Sequence, residues 1–320
     1  MTNNRTRGRE ITVIGAGVIG LSIAVLLAEQ GDHVAVVADR IAEETTSWAA
    51  GAMLGIAGTP PDDPSTRWAE IATPRFTELA AEPGSGIHLL HGRIFTDFAD
   101  EAPPWARALP DFRALTGAGT EGFRSAMEVT LPFADMPIYL EHLRRRLESA
   151  GGRIERRRVN DLRDVVGTAD VVVNAGGAGA RDLCGDEAVR PVRGVHVVLD
   201  HPGLDTFRME AVATPAWTNV FPYPGRVVVG GVALPEGEGP PDDEVAEAVL
   251  RRAVERLPEL ADARVRGHEV GWRPVRARPR LDVEDREGTT VVHAYGHGGI
   301  GVTVSWGVAH DVHAVLDGAA

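Results

Sequence analysis

Ile11-Thr12-Val13-Ile14-Gly15-Ala16-Gly17-Val18-Ile19-Gly20 is the stretch on which the reading of the fold turns. Its β-branched start predicts a short buried strand, the glycines a tight turn, and the apolar run to Leu27 a helix that stops near Gly31. In such a strand–turn–helix unit Gly15 permits the turn, Gly17 lets the backbone approach a pyrophosphate, and Gly20 allows close helix–strand packing. Phosphate would sit at the positive end of the helix, with Ala16, Val18 and Ile19 supplying main chain around it. A glycine motif alone also occurs as a plain turn in unrelated α/β proteins. Here a second strand over residues 33–38 ends in Asp39, roughly twenty residues beyond the motif, where an acid can bind the ribose hydroxyls of a dinucleotide.

Composition narrows the rest. The 320 residues are enough for one large domain or two ordinary ones. A formal net charge of −13 opposes nucleic-acid binding, which needs a basic surface to displace counterions. No apolar run reaches the length of a membrane span. Residues 1–10 are polar and arginine-rich and read as no signal peptide, and Gly318-Ala319-Ala320 lacks a peroxisomal Ser-Lys-Leu address. The single cysteine, Cys184, excludes an intrachain disulfide or a thiolate metal site and suggests a reducing, cytoplasmic setting; it reads as a small buried hydrophobe. The sequence contains no lysine, so a Schiff base through lysine is unavailable. A small-molecule substrate is favoured, and a homo-oligomer is compatible with all of this.

After Asp39-Arg40 come Thr45-Thr46-Ser47 and then Ala49-Ala50-Gly51-Ala52-Met53. Hydroxyls can satisfy phosphate oxygens, and small residues let backbone amides reach a flat ring. The same hydroxyls could simply cap a helix before an alanine-rich turn. Further on, residues 66–81 carry Trp68, Ile71, Phe76 and Leu79 at helical spacing, and Asp135 can cap a helix with the stripe Ile138, Leu140, Leu143 and Leu147. Strands are expected over 154–159, 170–174, 226–232 and 290–294, with a charged helix over 242–257. Val159 reads as a core valine. Asn174-Ala175-Gly176-Gly177 follows an all-apolar strand, as in a parallel sheet buried on both faces.

Two blocks near the carboxyl end are specific: Gly271-Trp272-Arg273-Pro274-Val275-Arg276 and Gly296-His297-Gly298-Gly299-Ile300-Gly301-Val302-Thr303. With the amino-terminal motifs they make nearly the whole chain resemble the D-amino-acid oxidase family. The resemblance implies an α/β fold: a Rossmann-type FAD-binding domain, discontinuous over 8–60, 145–195 and 285–320, joined to a mixed-sheet substrate-binding domain over 61–144 and 196–284. It implies FAD held by Gly15–Gly20, Asp39, Arg40, Thr45, Thr46, Ser47, Ala50, Gly51, Ala52, Met53, the backbone of Val159, and Gly298 to Thr303.

By the same resemblance Arg273 clamps a substrate carboxylate, the main chain at Gly299 receives the amine, and Met53 borders the substrate. No side-chain base is required, so His297 is not assigned one. Arg273 could instead form a surface ion pair, the fate expected of Arg276, Arg278 and Arg280. The expected activity is oxidative deamination of a D-amino acid, with molecular oxygen as acceptor and hydrogen peroxide as product. Glycine- or sarcosine-oxidase-like amine oxidation and a non-catalytic FAD-binding protein are the alternatives.

One position departs from the family. Asn219 stands where a carboxylate-binding tyrosine is usual, with Pro215 and Trp217 just upstream, so the substrate is expected to be altered. Tyr223, four residues along the same strand, can face the same side.

Overall fold

The computed structural model describes residues 8–55 and 59–318; the readings made on residues 1–7 and 319–320 lie outside them. The glycine motif folds as read. Strand β1 (Glu10–Ile14) enters a turn at Gly15, whose φ of +106° demands glycine, and helix α1 (Val18–Glu29) leads to β2 (His33–Ala38). A Cβ on Gly20 would lie 2.0 Å from the Gly15 carbonyl oxygen, so its absence is what lets α1 approach β1.

The chain continues through α2 (Pro64–Ala80), β3 (Ile87–Thr96), a short α3 (Pro104–Arg107), β4 (Arg113–Leu115), β5 (Ser125–Ala134), α4 (Met136–Ser149), β6 (Arg153–Arg156), β7 (Val171–Asn174) and α5 (Ala180–Cys184). Then come β8 (Arg190–Asp200), β9 (Phe207–Ala211), β10 (Ala216–Tyr223), β11 (Arg226–Val232), β12 (Leu234–Pro235), α6 (Asp242–Arg256), β13 (Val265–Arg286), β14 (Thr289–His297) and α7 (Gly301–Leu316). No helix among the described residues is long and apolar enough to cross a membrane.

All the strands belong to one mixed sheet. Its parallel half runs β14-β7-β1-β2-β6, and its antiparallel half spreads outward from β8 through β11, β10 and β9. The 22-residue β13 joins the halves: residues from Val265 to Val275 pair with β8, and those from Arg280 to Arg286 with β14.

Strand alternation then sorts the side chains. In β8, Val195, Val197 and Leu199 pack with Val220, Val227 and Val229 under α6, leaving Gly194 and His196 on the opposite face. That face also carries Phe221, Tyr223 and Val228, packed with Phe133 and Met53.

Two details of the helices differ from expectation. Asp135 does not cap α4 through its side chain but pairs with Arg226 at 2.7 Å. Ile138 is exposed, and Tyr139 and His142 are buried in its place, because the Tyr139 hydroxyl accepts from Trp306 Nε1 of α7 at 2.8 Å. Helix α2 packs on α7, with Trp68, Ala72 and Phe76 in the same apolar core as α1 and β1.

Candidate active site

The predicted residues gather at the carboxyl ends of the parallel strands, where ligands bind in sheets of this kind. At the start of α1, a Cβ on Gly17 would meet only Ser47 Oγ, 3.2 Å away. Gly17 offers the helix no side-chain cap, and the Val18 amide donates instead to Ser47 Oγ at 2.9 Å. The Thr45–Ser47 run therefore caps no helix of its own; Ser47 serves α1 from 29 residues away. Ala16 and Val18 are buried and Ile19 is half-buried in this turn, while Asp39 and Arg40 are exposed at the end of β2. Val159 packs its side chain against the small cluster of Ile14, Leu162 and Val172, and its backbone has no hydrogen-bond partner among the described residues.

The segment 45–54 is fastened to the antiparallel half along its length. Thr46 Oγ1 both donates to Trp272 O and accepts from Trp272 N, each at 3.1 Å, and Trp48 Nε1 donates to Glu269 at 3.1 Å. His196 Nδ1 lies 2.6 Å from Ala49 O, the Tyr223 hydroxyl donates to Gly51 O at 2.5 Å, and Ala134 N donates to Ala52 O at 3.0 Å. Thr303 at the start of α7 donates to Met53 O at 3.2 Å.

The carbonyls of Ala49, Gly51, Ala52 and Met53 are thus occupied by the sheet and the start of α7, whereas the amides of Gly51, Ala52 and Met53 have no partner among the described residues. Gly51 is buried, and a Cβ there would lie 2.8 Å from Phe221. Ala52 holds a φ of +47°, a left-handed conformation uncommon for alanine. A row of free amides on a buried, small-residue backbone fits the edge of a flat, acceptor-rich ring.

Arg273 and Gly299 meet here. A Cβ on Gly299 would be 3.6 Å from Arg273 Cδ. The guanidinium lies over Gly194, where an added Cβ would be 2.5 Å from Nη2, and it donates from Nη1 to Val232 O at 2.8 Å. Trp217 stands beside it, ring centroid 5.9 Å from Cζ. No carboxylate among the described residues pairs with Arg273, and burial holds its guanidinium below the ordinary arginine range. Its neighbours take different courses: Arg276 pairs with Asp186 at 3.2 Å and Arg280 with Asp282 at 2.8 Å, while Arg278 reaches the Asp62 carbonyl.

Gly298, with φ of +55°, Gly299 and Ile300 form the turn that opens α7, followed by Gly301, Val302 and Thr303 in its first turn. His297 is buried, and burial lowers its pKa to about 4, so the ring stays neutral, with Nε2 unpartnered among the described residues. Cys184 is half-buried rather than buried and accepts from Asn174 Nδ2 at 3.0 Å, while burial pushes its thiol up.

Asn219 is buried on the same side as Phe221. With its amide turned so that both ends find partners, it accepts from Trp217 Nε1 at 2.9 Å and donates to Thr218 O at 3.1 Å. Sequence reasoning misses Gly194 and His196. The signal available was a glycine and a histidine on alternate positions of an otherwise valine-rich strand.

Taken together, a parallel sheet with a glycine turn at a helix start, a small-residue backbone with free amides beside it and a half-buried arginine with no carboxylate partner among the described residues have the make-up of an α/β oxidoreductase. The chain belongs to the FAD dependent oxidoreductase family, whose model matches residues 10–314, and its cofactor is FAD.

Among curated proteins it is 43% identical to a D-amino-acid oxidase of Streptomyces coelicolor, over 95% of this chain and 96% of that one. It is 34% identical to the human D-aspartate oxidase, over 93% and 92%. The fold is shared with glycine oxidase from Geobacillus kaustophilus, with a TM-score of 0.79 at 22% identity over 98% of this chain and 95% of that one.

Proposed function

We propose that this enzyme is a D-amino-acid oxidase, releasing a 2-oxo acid, ammonia and hydrogen peroxide. One observation carries the reading: Arg273 is a largely desolvated guanidinium with a single hydrogen bond, to Val232 O, and no carboxylate partner among the described residues. A half-buried cation in this condition is costly unless an anion completes it. A substrate carboxylate matches its planar fork through two parallel hydrogen bonds.

In this reading the substrate carboxylate sits on Arg273, the main chain at Gly299 takes its amine, and Met53 forms a wall, with Asn219 behind Trp217 at the carboxylate end. FAD, when bound, would supply the two-electron oxidation of the substrate C–N bond to the imine, with molecular oxygen as the final acceptor and water hydrolysing the imine. The chain's own contribution is orientation and a fixed charge. Gly15 to Gly20 and Ser47 would flank the pyrophosphate, Asp39, Arg40 and Val159 the adenosine, and the amides of 50–53 and the turn 298–303 the flavin. We assign segments 8–60, 145–195 and 285–320 to cofactor binding and 61–144 and 196–284 to substrate binding. A single cysteine and no disulfide support a cytoplasmic setting.

The test is selectivity between a carboxylate and its neutral isostere. For D-alanine against D-alaninamide, Arg273→Met should lower the wild-type kcat/KM ratio by roughly ten- to hundred-fold, the loss of one or more charged hydrogen bonds of about 1.5–3 kcal/mol each. Equal losses on both compounds would sink the assignment of Arg273.

A further inference from the structure

We infer that Asn219 and Trp217 act as one unit that holds the Arg273 guanidinium ready for a carboxylate, with Asn219 working through the indole and not touching the substrate. This rests on the reading of Arg273 above. With no acid partner, an arginine side chain is free to sample several rotamers, and here three features restrain it. Gly194 leaves the floor on which the guanidinium lies, Val232 O accepts from Nη1, and the Trp217 ring closes one side with its centroid 5.9 Å from Cζ.

The half-buried indole is in turn held by the backbone beneath it, by the anchoring of its own strand and at its nitrogen. A Cβ on Gly231 would lie 2.9 Å from Trp217 Cε2, so the ring rests on bare backbone. Arg252 of α6 donates to Trp217 O from Nε at 3.2 Å and from Nη2 at 3.0 Å, and to Gly231 O at 2.9 Å, tying the two strand ends together. The remaining freedom is rotation of the ring, and it is fixed by the Nε1–H bond to the Asn219 oxygen at 2.9 Å.

The Asn219 amide is spent in this arrangement. Its nitrogen donates to Thr218 O at 3.1 Å, and the residue is 9% exposed. The opposite amide orientation offers only a 3.3 Å bond from Glu210 N. A residue whose two polar ends are both turned into the protein contributes by placing its neighbour. Asn219 is therefore a positioning residue, and its loss should be felt in substrate binding more than in turnover.

The experiment is a double-mutant cycle on the FAD-loaded enzyme, with benzoate as the carboxylate probe and the flavin absorbance as the readout of its Kd. Asn219→Leu and Trp217→Phe should each raise that Kd roughly tenfold, as expected for loosening one arginine–aromatic contact, and the double variant should bind no more weakly than either single one. With D-alanine the same variants should shift KM and not kcat. An additive loss of roughly a hundredfold would mean that Asn219 meets the ligand itself, and an Asn219→Leu enzyme that binds benzoate like wild type would mean that it holds nothing; either overturns the proposal. Asn219→Ser, too short to reach the indole, replaces the leucine variant should the latter lose FAD.

Near-ultraviolet circular dichroism separates this proposal from the one beneath it. The Trp217 band, taken as wild type minus Trp217→Phe, should vanish in Asn219→Leu. If wild type binds no benzoate yet that band disappears, the clamp stands and the carboxylate role of Arg273 falls. If the band persists, the clamp is wrong.

Discussion

Two histidines show how burial decides chemistry at the level of single residues. His196 and His297 are both held near pH 4, chiefly by desolvation, with Arg273 and Arg226 adding to the effect at His196. Ala49 O can only accept, so His196 carries its proton on Nδ1. In the unfolded chain each would titrate near 6.5, so between pH 6.5 and 4 the unfolded state binds more protons than the folded one. Stability contributed by the neutral rings is present above pH 6.5 and is lost as pH falls toward 4, by about 2 kcal/mol for each ring at pH 5. The melting temperature of wild type should therefore fall between pH 7 and 5, and that of His297→Phe should fall less, by a few degrees. Parallel slopes for the two proteins would show that His297 is not the buried neutral group described.

At the level of elements, the segment 45–54 is the decisive part, and it is irregular. Its shape comes from carbonyl acceptors taken up one after another by His196, Tyr223, Ala134 and Thr303, none of which is a local partner. Tyr223→Phe leaves the buried Gly51 carbonyl without its donor, a loss of about 1–3 kcal/mol. The expected result is faster FAD loss on dialysis and a lower melting temperature, with little change in KM for D-alanine in the enzyme that retains FAD. A large KM increase at full FAD occupancy would place the Tyr223 hydroxyl at the substrate. The sequence shows that small residues and hydroxyls cluster at 45–53. It does not show where they attach, because the four donors that take up its carbonyls lie more than 80 residues away. The α4 helix is similar: its position is legible, but the Tyr139–Trp306 contact that turns Ile138 outward depends on α7.

For the molecule as a whole, the parallel half is the part the sequence makes readable. Its strands are short β-branched runs set off by glycines, and β1, β2, β7 and β14 fall where that pattern puts them within a few residues. The antiparallel half is harder to read because its register is broken by irregularities between Ala216 and Asn219, Val265 and Gly267, and Val275 and Arg280. The last of these lets β13 leave β8 and join β14, so one strand carries Arg273 on its first part and borders the α7 turn on its second. That continuity sets the arginine beside Gly299 and makes the two halves parts of one sheet.

The most direct test of the whole account is the anaerobic reduction of the enzyme's FAD by paired amino-acid enantiomers, with glycine and sarcosine alongside, followed by peroxide release on admitting oxygen. The account predicts bleaching by at least one D-amino acid, none by its L-enantiomer, slower or no bleaching by glycine and sarcosine, and one peroxide per flavin reduced. Bleaching by glycine or sarcosine in preference to every D-amino acid, or a flavin that no amino acid reduces, would contradict it.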